Sequence, residues 1–356
     1  MSRNDVHSIV RPRPHRVVLR RHADVVAAAH DPETFSAGVS QHLQIPNGLD
    51  GAEHAAARRL IDPFFADDEL DRYMPGFQRI AAELVASLAS GEAFDAVADL
   101  GARFAVRAQS HWLGWTSELE DTLLEWVADN RAATRSGDKT RTTEVAARFD
   151  GIIRALLAER RAEPHDDLTT RLTLLTRPDG ELLSDPELVS ILRNWTGGDL
   201  SSIALCAGVV VAGLVASPRL AARVAVAGDA EVDAIVDELL RRDDPFVSNR
   251  RRATRDVEIG GCPIAAGQVV VLDWREANTD PDVFGTGFDP EAHAADNLVY
   301  GTGPHVCPGR PLAARELRVL VRAVLAAGIL TPAGAPVREE APVAGYRTVP
   351  VRILPS

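Results

Sequence analysis

One short stretch concentrates the residue types that do chemistry. Tyr300-Gly301-Thr302-Gly303-Pro304-His305-Val306-Cys307-Pro308-Gly309 runs into Arg310-Pro311-Leu312-Ala313-Ala314-Arg315-Glu316, placing three glycines, a histidine and a cysteine just ahead of an apolar run. Glycine lets backbone approach a flat ligand and adopts conformations that a side chain forbids. Proline after a loop suits the first turn of a helix, where its missing N–H is no loss. Cys307 is therefore expected at a loop-to-helix junction, where unpaired N–H groups and the helix dipole stabilise a thiolate. Such a thiolate is a nucleophile or a metal ligand.

Other candidates are weaker alone. His54 and Arg58 stand four apart, so on a helix they share one face. In Asn194-Trp195-Thr196-Gly197-Gly198-Asp199-Leu200-Ser201-Ser202 two adjacent glycines would cost roughly 1 kcal/mol each against alanine inside a helix. Close approach of a flat ligand is one reason to keep them. Glu238 and Arg241, three apart, suit a surface ion pair of ~0.2–0.5 kcal/mol. Each of these patterns is equally at home on a solvated face.

The elements that must carry these residues follow from periodicity. Residues 16–20 read as a strand, 24–29 as a short helix ended by Asp31-Pro32, and 36–50 as a loop. From Leu70 to Leu88 a helical stripe through Met74, Phe77, Ile80, Leu84 and Leu88 reads as core. Helices are expected over 104–112, 118–129 and 142–160, with a surface loop at Ser136-Gly137-Asp138-Lys139 and a turn at Pro178-Asp179-Gly180. Ser184 or Asp185 caps a long helix, with Glu187 in its first turn, that runs through the Gly-Gly pair to about 216. Another helix covers 232–242. Gly260-Gly261 turns a hairpin between 256–259 and 264–272. A helix follows Cys307 to about 327, and strands close the chain around Val337 and 346–354. No repeat or linker interrupts the chain, which predicts a single domain over residues 1–356.

Composition narrows the function classes. The 356 residues carry a formal net charge of -12, so no overall basic footprint points to nucleic acid. Three cysteines (Cys206, Cys262, Cys307) argue against a disulfide scaffold and fit a reducing cytoplasm. The N-terminus has no apolar stretch of signal-peptide length, and the most apolar run, 203–216, is too short to span a bilayer.

The stretch from Tyr300 to Gly309 resembles the haem-binding loop of the cytochromes P-450, roughly Phe-Gly-x-Gly-x-His-x-Cys-x-Gly. Every fixed position matches except the first, where Tyr300 stands for Phe. The resemblance implies that Cys307 is the axial thiolate of haem iron, a ligand that favours O–O cleavage. It also implies a mainly α fold with small β-sheets and a long central helix over haem b. His54-x-x-x-Arg58 matches the family's propionate-binding pair, although Gly51-Ala52 stands where proline is common. Arg251-Arg252-Ala253-Thr254 resembles Arg-x-Ala-Thr, whose arginine reaches a propionate. His305 joins this set, and Gly198, Gly301 and Gly309 are the positions of close approach to the cofactor. Glu238-x-x-Arg241 resembles a buried structural pair. Its usual third member, an arginine after Phe-x-Pro, is absent: Phe288-Asp289-Pro290 is followed by Glu291, Ala292 and His293, which leaves His293 as the substitute.

The central helix departs from the family's Ala/Gly-Gly-x-acid-Thr-Thr/Ser motif, in which acid and hydroxyl deliver protons to bound dioxygen. One register puts Leu200 at the acid and Ser201-Ser202 at the hydroxyls; the other keeps Asp199 as the acid but puts Leu200 at the first Thr. Asp199, Ser201 and Ser202 are the catalytic candidates. The resemblance covers the chain from His54 to the C-terminal strands and is closest to soluble bacterial members, shortened at the N-terminus. It implies a monooxygenase inserting one oxygen atom of O2 into a small organic substrate, with electrons from a ferredoxin and its reductase. The broken motif also suits peroxide use or oxidative coupling, and a catalytically impaired haem-binding protein stays open. Residues 36–50, 133–143 and 192–202 are the expected pocket lining, and their chemistry names no substrate.

Overall fold

The computed structural model describes residues 9–13, 16–177 and 179–355. The start of the N-terminal segment read for a signal peptide, and Pro178 of the predicted turn, lie outside these residues. Helices dominate, with small sheets beside them, as the mainly α expectation required. The chain packs into two compact units, each built from separated stretches of sequence.

The first unit gathers the described residues up to Ile61 with Asp237–Pro308. Its five-stranded sheet has the order Ile9–Arg13, Arg16–Leu19, Val269–Asp273, Ser248–Ala253, Phe35–Ser36. Arg16–Leu19 and Val269–Asp273 pair in parallel, with Val17 opposite Val270 and Leu19 opposite Leu272. That register puts four buried side chains on one core, where Val25, Ala28, Phe35, Trp274 and Leu298 join them. Gly260 and Gly261, at φ 56° and 78°, supply the two left-handed positions of a tight turn. The hairpin they close is shorter than expected. Val257–Ile259 pairs with Cys262–Ile264, and the chain then turns away before Val269–Asp273 joins the larger sheet. Gly267, left-handed at φ 82°, makes that exit. The helix His22–Ala29 begins two residues before the predicted start, its first N–H bonded to Asp280 Oδ2 at 2.9 Å.

The second unit gathers Asp62–Val236 with the described residues from Gly309 onward. Its axis is the helix Asp185–Ala216, capped by Ser184, whose N–H donates to the Glu187 carboxylate at 2.7 Å. By length and composition this helix passes for a membrane span, yet 61% of its most apolar window is buried inside the protein. All of 203–211 is buried, which encloses that part of the helix on every side.

The π-helix Ala96–Ala102, absent from the sequence reading, packs along the central helix and leads into Arg103–Leu113. A Cβ on Gly101 would stand 2.9 Å from the backbone of Ala204, so only glycine permits this approach. The stripe over 70–88 is not one helix. Asp67–Asp71 ends, and Met74–Leu88 begins with Pro75 in its first turn, where proline cannot continue a preceding hydrogen-bond ladder. Phe77, Ile80 and Leu84 are buried as core. The loop at 136–139 is a tight junction: Gly137 ends Glu120–Ser136 at φ 65°, and Asp138 accepts from Thr140 N to start Lys139–Ala162. Pro350–Leu354 pairs with Ile329–Pro332 and Phe94–Asp95, and Tyr346–Thr348 pairs with Val337–Arg338.

Candidate functional site

In the first unit the cysteine loop is held by its own backbone. Gly301 N donates to Leu298 O at 2.8 Å, Cys307 N to Tyr300 O at 2.9 Å, and Val306 N to Gly303 O at 3.0 Å. Gly301 and Gly303 are left-handed, at φ 70° and 73°. A Cβ on Gly303 would also lie 2.6 Å from Ala29 O, so position 303 excludes every other residue. Gly309 caps the next helix at φ -80°, which any residue adopts. Cys307 is exposed at the head of the loop, three residues before the helix Arg310–Ala326.

Around this loop the unit gathers the cationic candidates. Arg58, on the helix Gly51–Ile61, donates from Nη1 to Val306 O at 2.9 Å and to Pro304 O at 3.2 Å. His54, one turn earlier on the same helix and buried, lies with its ring 4.2 Å from that of His305. Arg251 is buried on the strand Ser248–Ala253, where its Nη1 donates to the carbonyl of Arg250. Asp50 tempers this group. Its carboxylate is fixed by Ser36 Oγ at 2.6 Å and Ala37 N at 3.0 Å, and sits 3.4 Å from His305 Nε2. That last contact lacks hydrogen-bond geometry, so among the described residues His305 Nε2 is buried without a hydrogen-bond partner.

Burial, with the Arg251 and His54 charges, pushes His305 down to about 4. Burial also lowers Arg251, while Asp50 pulls it the other way. The histidine is neutral at pH 7 and the guanidinium is charged, so the patch holds more positive charge than Asp50 balances.

A buried bracket stands beside the loop in the same unit. Arg241 donates to both oxygens of Glu238, at 2.7 and 2.8 Å, and its Nη1 donates to Asn278 O. His293 Nδ1 lies 2.9 Å from Glu238 Oε1, which puts it in the place the sequence left for a missing arginine. Burial would raise the Glu238 carboxyl, but the Arg241 and His293 hydrogen bonds outweigh it and hold it low. Asn278 bonds Asp244 at 2.8 Å and takes Leu298 N, so the bracket reaches the base of the cysteine loop.

In the second unit the central helix sorts its polar residues by face. Gly197 faces the stacked rings of Trp126 and Phe149, whereas a Cβ on Gly198 would meet nothing within 4 Å. Of the two glycines, Gly198 is the one open to a ligand. Leu200 is fully buried. Ser201 Oγ is 3.4 Å from Asn130 Nδ2, and Ser201 O is 3.4 Å from Arg131 Nη2. Asp199 turns another way: its Oδ2 is buried without a hydrogen-bond partner among the described residues, and burial raises its pKa to about 7. Two residues along a helix are about 200° apart, so Asp199 and Ser201 face apart, while Ser202 at i+3 shares the side of Asp199.

Sequence reasoning missed the neighbour of Asp199. Glu316, on Arg310–Ala326, is fully buried with neither carboxylate oxygen hydrogen-bonded among the described residues. Burial, then the Asp199 charge, pushes its pKa well up. A signal existed: Leu312, Glu316 and Leu320 stand four apart, all buried, so Glu316 interrupts an apolar stripe. Asp50, which faces His305, carried no such signal.

The family profile described as Cytochrome P450 matches residues 232–327. Erythromycin C-12 hydroxylase of Saccharopolyspora erythraea is 30% identical over 334 residues, covering 86% of this chain and 80% of that protein. The chain belongs to the cytochrome P450 family. Cyclomarin C epoxidase of Salinispora arenicola is 29% identical, covering 86% of this P450 chain and 82% of its own. Among solved structures, a mutant of P450 EryK in complex with erythromycin B superposes with a TM-score of 0.85 at 28% identity, covering 98% of this chain and 93% of that one. This cytochrome P450 is a monooxygenase of the haem-dependent kind.

The residues fit that cofactor. An exposed thiol heads a glycine loop, and His305 Nε2 is a buried polar atom lacking a partner. Arg251 is a buried cation whose nearest balancing charge, Asp50, is shared. Two propionates would supply the missing acceptors and anions.

Proposed function

We propose that the chain binds haem b, with Cys307 as axial thiolate and His54, Arg58, Arg251 and His305 as propionate partners. Gly198, Gly301 and Gly309 give the flat ring its close approach. The reaction is insertion of one oxygen atom of O2 into a small organic substrate. A separate ferredoxin and ferredoxin reductase deliver electrons in the cytoplasm, and the chain works as one domain. The observation that carries this reading is the gathering of four cationic or hydrogen-bonding side chains beside the cysteine loop, one of them with a buried, unpartnered nitrogen. Bound haem supplies the oxygen chemistry, and the protein supplies orientation, electronics and protons.

The chain's own part in proton movement is assigned to the central helix. Asp199 holds a proton near neutral pH because burial disfavours its charge, and it passes that proton by way of Ser202 on its own side of the helix. Glu316 keeps the pair from ionising together, since two unscreened carboxylates repel. Ser201 contributes on the opposite side, where it contacts Asn130 and Arg131.

Replacing Cys307 by alanine is expected to abolish the red-shifted absorbance band of the reduced carbon monoxide complex. A wild-type protein without that band would overturn the thiolate assignment. Turnover is then compared with ferredoxin, reductase and NAD(P)H against turnover with hydrogen peroxide. The full burial of Leu200, at one position of the acid–hydroxyl pair in either register, favours a second reading of peroxide use or oxidative coupling. Activity with peroxide alone would select it, and inactivity with both across diverse substrates would point to an impaired haem-binding protein.

A further inference from the structure

A second buried charge cluster lies in the same unit as the central helix, and the relay does not use it. The helix Glu120–Ser136 contributes Arg131 and Arg135, and the C-terminal hairpin contributes Glu339 and Arg347. Glu339, whose side chain is 1% exposed, bonds Arg135 at 2.9 Å and lies 3.5 Å from Arg347 Nε. Its Oε1 is thus taken by Arg135, while its Oε2 makes no hydrogen bond among the described residues, and Arg347 also pairs with the exposed Glu340 at 3.3 Å. Asp95, the other carboxylate near Arg131, takes Val97 N at 3.1 Å and Val349 N at 2.7 Å.

Arg131 bonds neither of these carboxylates. Among the described residues its Nε is buried with no hydrogen-bond partner, and its Nη2 makes one long bond, 3.4 Å, to the carbonyl of Ser201. Nε and Nη2 form one edge of the guanidinium, the planar fork that receives both oxygens of a carboxylate. A charged group kept from water and left unpaired is costly, and a bound anion removes that cost. Burial already pulls Arg131 down to about 10, with Glu339 and Asp95 opposing and Arg135 adding to the fall. It still carries its charge at pH 7.

Resting on the reading of the central helix as one flank of the substrate site, we propose that Arg131 receives a carboxylate of the substrate on its Nε–Nη2 edge, with Asn130 and Ser201 beside it. The substrate class is thus an organic acid, with the carboxylate anchored and oxidation directed elsewhere in the molecule. The contact of Arg131 and Asn130 with Ser201 ties the anchor to the same helix that carries Asp199 and Ser202.

The test uses haem-loaded protein and matched pairs of probes: dodecanoate, 4-phenylbutyrate and a steroid carboxylate, each against its methyl ester. Binding is read by the haem spin-state shift and by calorimetry, with the reduced carbon monoxide band as a check on the site. At least one acid is expected to bind ten-fold or more tightly than its ester. Arg131→Gln should erase that preference, and Arg131→Lys should keep part of it. Melting curves of both variants identify any loss caused by misfolding; if the Gln variant does not fold, the acid-over-ester ratio in the wild type and the Lys variant decides. Equal binding of acids and esters overturns the proposal, as does a preference that survives in Arg131→Gln, or no binding by any acid. A missing carbon monoxide band in the wild type would instead overturn the haem-thiolate reading, so the two failures are told apart.

Discussion

Asp199 and Glu316 put two acids where the described residues offer no hydrogen-bond partner at Asp199 Oδ2 or at either Glu316 oxygen. An acid whose folded pKa lies above its unfolded value keeps its proton in the folded state after the unfolded chain has lost it. The folded state then binds more protons, so stability falls as pH rises through that window and levels off above it. For Asp199 the window runs from 3.8 to about 7. Asp199→Asn removes the burdened charge. Its melting temperature should decline less than the wild type's between pH 4 and pH 7, and should lie higher at pH 8. Glu316→Gln should act in the same direction. A wild-type slope in both variants, measured by calorimetry across pH, would show that these acids are solvated in solution. Relay function is read separately: Ser202→Ala and Asp199→Asn should raise wasteful peroxide release more than Ser201→Ala does.

At the scale of elements, two close approaches hold the site's frame. The π-helix Ala96–Ala102 meets the central helix where Gly101 faces the backbone of Ala204 at a would-be Cβ distance of 2.9 Å. Backbone does not yield as a flexible side chain does, so Gly101→Ala is expected to cost about 1–3 kcal/mol. A urea midpoint unchanged from wild type would show that the helices part easily. The Glu238–Arg241–His293 bracket behaves differently because both ends of its ion pair are buried, at 1% and 4% side-chain exposure. Glu238→Ala leaves Arg241 charged and without its carboxylate, a loss of about 3–5 kcal/mol. Its sign is the same whatever the substrate, so the measurement is of stability and haem retention rather than turnover.

For the whole molecule, each compact unit draws on two distant stretches of chain. The stretch that matches the family profile, 232–327, contains Cys307, Arg251 and the Glu238 bracket. It lacks the strand Arg16–Leu19, which pairs with Val269–Asp273, and it lacks His54 and Arg58. Expressed alone, this fragment should give no cooperative melt and no red-shifted carbon monoxide band. A folded, haem-binding fragment would show that the unit's core closes without its N-terminal strands.

Much was legible in the order of residues. Gly303, His305 and Cys307 could be read directly because a left-handed glycine and a thiol need no distant partner to be recognised. The long helix over 185–216 was equally plain, since its cap, first-turn acid and apolar length are local features. His293 was legible only as a substitute inferred from what stood missing, and tertiary packing made it a partner of Glu238. Other features were decided by packing alone. The burial of Glu316 and the close approach of Gly101 to Ala204 depend on which surfaces meet, whereas the break before Met74 and the exit of Val269–Asp273 are set locally, by Pro75 and Gly267. Sequence determines local conformation through steric limits and periodicity, whereas the electrostatics of a buried acid or arginine depends on groups that folding brings near or leaves out. Cys307 was therefore readable before the structure, and the unpaired edge of Arg131 was not.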